Sequence, residues 1–186
     1  MTAAVIAGLL QACSGSKSSS GSDSSSVKTD SSTTVVKTDS SATMMADTTF
    51  ASKAAVGGMA EVALGKMAAS KGTDKQVKDF GNMMVMDHGK ANAELMSIAK
   101  AKNITLLAGL DAEHQAKSDS LSKLSGADFD RAYVAAMVEG HKKTLALMQS
   151  EASNGKDAEL KAFAAKTAPV VQMHLDHITK IQGNLK

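Results

Sequence analysis

The chain has 186 residues, 21 basic and 19 acidic side chains, a formal charge of +2, one cysteine, one tyrosine and no tryptophan. Bases and acids are interleaved and no aromatic-basic pattern that stacks nucleobases is present, so nucleic acid is not an expected partner. A single cysteine, Cys13, excludes an intrachain disulfide and any cysteine-clustered zinc or iron–sulfur site.

Residues Thr2 to Ala12 are small and apolar, and they end at Cys13 and Ser14. About 20 apolar residues are needed to span a bilayer as a helix, so this run fits the end of a secretory signal better than a membrane span. Leu10-Gln11-Ala12-Cys13 resembles the lipobox of bacterial lipoproteins, with Gln11 where a small residue is usual. Residues 1–13 therefore read as a signal-peptide remnant and lipobox, Cys13 as the lipidation site, and the missing basic residues ahead of the run predict a longer leader. Ser14 resembles the signal for outer-membrane retention. The expected address is the periplasm, anchored to the outer membrane, with secretion as the alternative.

From Ser14 to residue 46 the chain is Ser, Thr, Asp, Lys and Gly with scattered Val, and it carries a near-repeat, SSVKTDSS followed by VVKTDSS. Such residues bury too little apolar area to offset the entropy of ordering, which predicts a disordered tether. Residues 47–184 remain as one domain rich in Ala, Met, Leu, Lys and Glu, a composition that favours helices.

Asp47 or Thr48 is the expected cap of a first helix running to about Ser70, with Phe50, Ala54, Gly57, Glu61, Leu64 and Ala68 on one face. Gly72 ends it, and Thr73 with Gln76 forms a capping box for a second helix running to about Lys102. Val77, Phe80, Met84, His88, Ala91, Leu95 and Ile98 keep the spacings of three and four that define one helix face. A short polar helix follows from about Asp111 to Lys123. A third long helix, capped by Ser125 or Asp128, carries Phe129, Tyr133, Met137, His141, Thr144 and Met148 and ends near Gly155. Asp157 starts the fourth, whose stripe is Leu160, Phe163, Thr167, Val171, His174, Ile178 and Ile181; Pro169 inside it predicts a kink. Four amphipathic rods bury their stripes most economically as an antiparallel four-helix bundle.

Each long helix places one polar group in its stripe: Glu61, His88, His141 and His174. Imidazole beside carboxylate is ligand chemistry for Zn, Fe, Ni or Cu, so the four residues are the candidate ligands of a single transition metal. In an up-down bundle their levels spread over roughly 12 Å at about 1.5 Å per residue, too wide for one ligand shell. A connection that crosses the bundle moves His174 nearer Glu61. The competing reading makes the same residues hydrogen-bonding partners that fix the register. The residues three before the histidines are Val85, Val138 and Val171, so the Glu-x-x-His motif of di-iron bundles is absent. Asp87 can orient an imidazole of another helix, Tyr133 needs a hydroxyl partner if buried, His177 lies at the stripe edge and His114 on a solvated face. No Gly-x-Ser-x-Gly, Cys–His pair or nucleotide loop marks a catalytic centre.

The segments FASKAAVGGMAEVALG, VKDFGNMMVMDH, FDRAYVAAMVEGH and LKAFAAKTAPVVQMH resemble the family called domain of unknown function 4142 (DUF4142), exported or outer-membrane bacterial proteins grouped with ferritin-like bundles. Glu61, Asp87, His88, Tyr133, His141 and His174 match the family pattern. The resemblance implies an all-α, ferritin-like four-helix bundle with the short extra helix in its middle connection, and an extracytoplasmic location; it implies no activity. Two functions therefore stand as expectations: a tethered structural or interaction module of the envelope, or a transition-metal-binding protein or metalloenzyme. The membrane, through a lipid anchor at Cys13, is the one expected partner.

Overall fold

The computed structural model describes residues 37–185, with side chains from Met44 onward. The lipobox-like run, Cys13 and most of the expected tether lie outside the described residues. Among the described residues there are five helices: α1 (Lys37–Lys71), α2 (Lys75–Ala101), α3 (Ala112–Ser122), α4 (Gly126–Asn154) and α5 (Ala158–Asn184). Among the described residues none of these is long and apolar enough to cross a membrane.

Most helix starts follow local capping chemistry. Asp111 accepts from the His114 N–H at 2.9 Å, and Asp157 accepts from Glu159 and Leu160 N–H at 3.0 Å. Two expectations shift. The cap of α2 is Asp74, whose carboxylate accepts from Gln76 N–H at 2.7 Å, because Thr73 is engaged elsewhere. Asp47 does not start α1: the helix begins ten residues earlier, at Lys37, and takes in the end of the expected tether. Pro169 lies inside α5, which continues past it to Asn184.

The contacts at the helix ends fix the topology. Lys102, at the end of α2, bonds Asp157 at the start of α5 (2.6 Å), while Asn184 at the end of α5 meets Gln76 at the start of α2 (3.4 Å). The α1–α2 turn packs on the start of α4, and Asp47 of α1 packs on the α4–α5 turn. So α1 and α5 run one way, α2 and α4 the other, and residues 102–125 carry the chain back along the whole bundle. That is the ferritin-like crossover, with α3 as the extra helix.

Each hairpin turn is held by a carboxylate from the other hairpin. Asp130 of α4, 2% exposed, accepts from Thr73 N–H (3.1 Å) and Asp74 N–H (2.8 Å), and also takes the Thr73 hydroxyl. Asp47 of α1, likewise buried, accepts from Lys156 N–H (3.2 Å) and Asp157 N–H (2.9 Å). These amides precede the first turns of α2 and α5, where backbone donors lack helical partners and favour a negative charge. Asp47 is therefore spent on the opposite turn, and α1 needs no cap there.

The apolar core is divided in two. One cluster, including Leu64, Val77, Phe80, Met84, Phe129, Tyr133 and Ile178, fills the end near the α1–α2 turn; the other, including Phe50, Leu95, Met148, Leu160 and Phe163, fills the opposite end. Glu61, His88, His141 and His174 form the layer between them. Close approach of α1 and α2 beside that layer depends on paired glycines. A Cβ on Gly65 would sit 2.7 Å from the Gly81 carbonyl oxygen, and one on Gly81 would sit 2.6 Å from that of Gly65.

Asp130→Ala leaves the Thr73 and Asp74 amides without their acceptor, so urea denaturation should show a loss of about 2–4 kcal/mol with helical circular dichroism retained. Glu151, near Asp47 and Asp157, titrates abnormally: burial first, then those two charges, push its carboxyl from 4.5 up to about 7. The folded chain thus holds that proton more tightly than the unfolded chain, and stability falls as pH rises from 4.5 through about 7. Glu151→Gln should raise the Tm by several degrees at pH 8 and leave it nearly unchanged at pH 4, read by scanning calorimetry.

Candidate functional site

The four stripe residues meet in the middle of the bundle. Glu61 comes from α1, His88 from α2, His141 from α4 and His174 from α5, with exposures of 4%, 6%, 0% and 0%. The crossover explains why. Glu61 lies 12 residues before Thr73, His141 lies 11 after Asp130, which touches Thr73, and His88 lies 15 after Thr73. His174 lies 10 before Asn184, which meets Gln76. At about 1.5 Å per residue these offsets agree to within roughly 6 Å, half the spread of an up-down bundle.

The three rings cluster, with centroids 5.6 Å apart for His88–His141, 5.3 Å for His88–His174 and 5.6 Å for His141–His174. One nitrogen of each lies within 4.8 Å of the others'. One nitrogen of each ring faces an oxygen that can only accept. His141 Nδ1 donates to the Met137 carbonyl at 2.9 Å, and His174 Nε2 donates to Asp87 Oδ2 at 3.0 Å. His88 Nδ1 lies 2.9 Å from Glu61 Oε2, an ion-pair contact off the line of a hydrogen bond. Glu61 Oε1 lies 3.6 Å from His141 Nδ1 and accepts from the Thr144 hydroxyl at 3.4 Å. In the neutral ring a proton held on one nitrogen leaves a lone pair on the other. The remaining nitrogens, His88 Nε2, His141 Nε2 and His174 Nδ1, are buried and have no hydrogen-bond partner. Three buried ring nitrogens without a partner are costly, and a cation can take their lone pairs once the rings are neutral.

Charges in this layer are set by burial and by one another. Burial raises the Glu61 carboxyl, but His88, and then His141 and His174, more than reverse that and hold it below the usual range. Burial lowers the His88 imidazole, yet Glu61 carries it above its ordinary value. For His141 burial prevails over Glu61, and the ring protonates below the usual pH. His174 is pushed down to about 4 by burial, against the raising effect of Asp87 and with help from the other two rings. The layer thus resists taking up a second proton. Phe80 closes it on one side, its ring 5.9 Å from that of His141 and 6.3 Å from that of His174.

Other residues singled out in the sequence lie apart from this cluster. His177 is exposed at the edge of α5, its ring 5.7 Å from Phe80. His114 is half-buried on α3, where its Nδ1 meets Asp111 at 2.6 Å. Tyr133 is fully buried, and its hydroxyl finds neither Glu61 nor a histidine as hydrogen-bond partner. Asp87 does orient an imidazole of another helix, as its position beside His88 allowed. The Met137 carbonyl is invisible to a reading of side-chain types, and only the spacing of four between Met137 and His141 hints at it.

The family model described as domain of unknown function (DUF4142) matches residues 33–181. The chain belongs to the DUF4142 family. No curated protein matches it. Among solved structures the DUF4142 chain is similar to a DUF305 fragment from Deinococcus radiodurans, at 11% identity and a TM-score of 0.67, covering 75% of this chain and 97% of that one. It is also similar to CopM in the Cu(I)-bound form, at 15% identity and a TM-score of 0.62, covering 74% of this chain and 96% of that one. At these identities the likeness is one of fold. Within this DUF4142 domain the buried His88, His141 and His174 could coordinate a single transition metal.

Depressed histidines make the metal-free protein acid-sensitive. A ring that stays neutral to about pH 4 when folded but takes a proton at 6.5 when unfolded contributes stability fully present above 6.5 and lost as pH falls toward 4. His174 alone accounts for about 3 kcal/mol of that loss. A proton-detected NMR titration should show the His174 ring neutral at pH 5, and Glu61→Gln should lower the titration midpoint of His88.

Proposed function

We propose that this domain binds one transition metal ion at the centre of its bundle, with His88 Nε2, His141 Nε2 and His174 Nδ1 as ligands. The observation that carries the reading is the arrangement of the rings: three helices bring one imidazole nitrogen each within 4.8 Å of the others, and every ring has one buried nitrogen without a partner and an oxygen near its other nitrogen. Tetrahedral ligands about 2 Å from a metal stand ~3.3 Å apart, so small ring rotations close the set from separations below 4.8 Å. Glu61, expected beside the histidines as a fourth ligand, lies on the Nδ1 side of His88 and His141. We assign it the outer role of orienting those rings and offsetting the cation's charge, with Asp87 doing the same for His174. Three imidazoles suit Zn(II), Cu, Fe or Ni and leave a further coordination position open. CopM, a protein of similar fold, is described with Cu(I) bound; that is analogy in support of the bundle as a metal scaffold and does not select copper.

The competing use of these histidines, fixing register through hydrogen bonds alone, is disfavoured because three of their six ring nitrogens are buried without a hydrogen-bond partner. We further infer an extracytoplasmic domain tethered through Cys13, a reading supported by the run Leu10-Gln11-Ala12-Cys13 and by the Ser/Thr-rich segment after it. Protein purified without an affinity tag and loaded with Zn(II), Cu or Ni in turn should retain about one equivalent of its preferred metal by elemental analysis. His88→Ala, His141→Ala and His174→Ala should each lower affinity at least a hundredfold, whereas His177→Ala should leave it unchanged. Full retention of metal in His88→Ala and His141→Ala would reject the site.

A further inference from the structure

Glu61 has a second face. Between α1, α4 and the crossover lies a cleft of about 710 Å³ that has Glu61 in its lining, together with Thr144. Its other walls are largely apolar: Val56 and Ala60 from α1, Leu107 from the crossover, and Ala136, Met137 and Leu147 from α4. Leu107 stands 58% exposed at this cleft. Two helical glycines in the lining, Gly57 and Gly140, face open space, for a Cβ on either would meet nothing within 4 Å. Neither glycine is required by backbone conformation or by a neighbouring helix, so their effect is to leave the cleft wide.

The polar groups state what such a cleft accepts. At its floor is a carboxylate whose side chain is 6% exposed, beside a hydroxyl that donates to it only at 3.4 Å. A ligand hydroxyl can donate to Glu61 and accept from Thr144 at once. Several rim charges are already paired: Lys143 meets Glu139 at 2.7 Å, Lys117 meets the same carboxylate at 4.0 Å, and His114 meets Asp111 at 2.6 Å. Glu61 already faces His88 at 2.9 Å, so a cationic headgroup would compete with that contact, and an anionic one would be repelled by the carboxylate.

We infer that this cleft binds a neutral, mainly apolar molecule ending in a hydroxyl, of the class of medium-chain alcohols, with the hydroxyl seated on Glu61 and Thr144 and the chain along α1 and α4. Cavities of roughly 300–1,000 Å³ with apolar walls and a few convergent polar groups are the usual form of a small-molecule site. The inference goes beyond metal binding and shares only Glu61 with it. Occupancy would place the ligand on the carboxylate that orients His88 and His141.

The test uses the metal-free full-length chain and 1-decanol, followed by isothermal titration calorimetry and by methyl NMR shifts of Met137 and Leu147. Expected are saturable binding with Kd at or below about 100 µM, at least tenfold weaker binding of the equal-length methyl ether, which cannot donate, and of decanoate. Gly140→Leu fills the cleft from an unobstructed position and should abolish binding while helical content and Tm are retained. Absence of saturable decanol binding, or equal binding by Gly140→Leu, overturns the site; equal affinity for the ether overturns the role of Glu61. Metal content measured separately on the same preparations keeps this result apart from the fate of the histidine site: decanol binding with no metal retained, or the reverse, rejects one and leaves the other.

Discussion

The chain between α2 and α4 has to travel the length of the bundle, and that one connection determines which residues share a level. With α2 and α4 parallel, positions counted from the Asp130–Thr73 contact place one carboxylate and three imidazoles in a single layer. With an up-down path the same stripes would still be buried, yet their polar members would be strung along the axis as separate defects. The fold thus concentrates its polar cost in one plane and leaves two apolar clusters on either side to supply the burial.

Within that plane the positions of the protons follow from oxygen acceptors supplied by three different sources: a side chain of α1, a side chain of α2 and a main-chain carbonyl of α4. Because acceptors fix the protonated side of His141 and His174, each of these two rings keeps a lone pair on its other nitrogen without requiring a cation to arrange it, and a carboxylate adjoins Nδ1 of His88. Preorganisation of this kind lowers the reorganisation needed on binding. It also separates roles that one sequence stripe merges: Glu61 reads as a peer of the histidines along the helix faces, whereas in space it stands behind them.

Much of the bundle was legible because the signals were local and periodic. Spacings of three and four turned Glu61, His88, His141 and His174 inward, and Gly72, Asp111, Asp157 and Gly155 marked helix ends. What escaped depended on contacts between distant segments. Asp47 has the form of a cap and sits beside a helix-forming run, but its hydrogen bonds go to residues about 110 positions away. Asp130 has no local motif, and its importance arises only when the α1–α2 turn arrives next to it. Levels along the axis could be counted from the sequence, but the count depended on the path of the middle connection, which periodicity does not encode. The Asp87–His174 pair illustrates the same divide: adjacency to His88 is visible in the chain, and the partner across the bundle is not.

The placement of Asp47 has a mechanical meaning. Ten helical residues precede it, a length of about 15 Å, before α1 reaches its bonds to the α4–α5 turn. A load drawn along α1 from its start meets that joint before it meets the apolar layers. Part of the force passes into the neighbouring hairpin through the Lys156 and Asp157 amides, and the interface is strained in shear along its length instead of being peeled open one turn at a time.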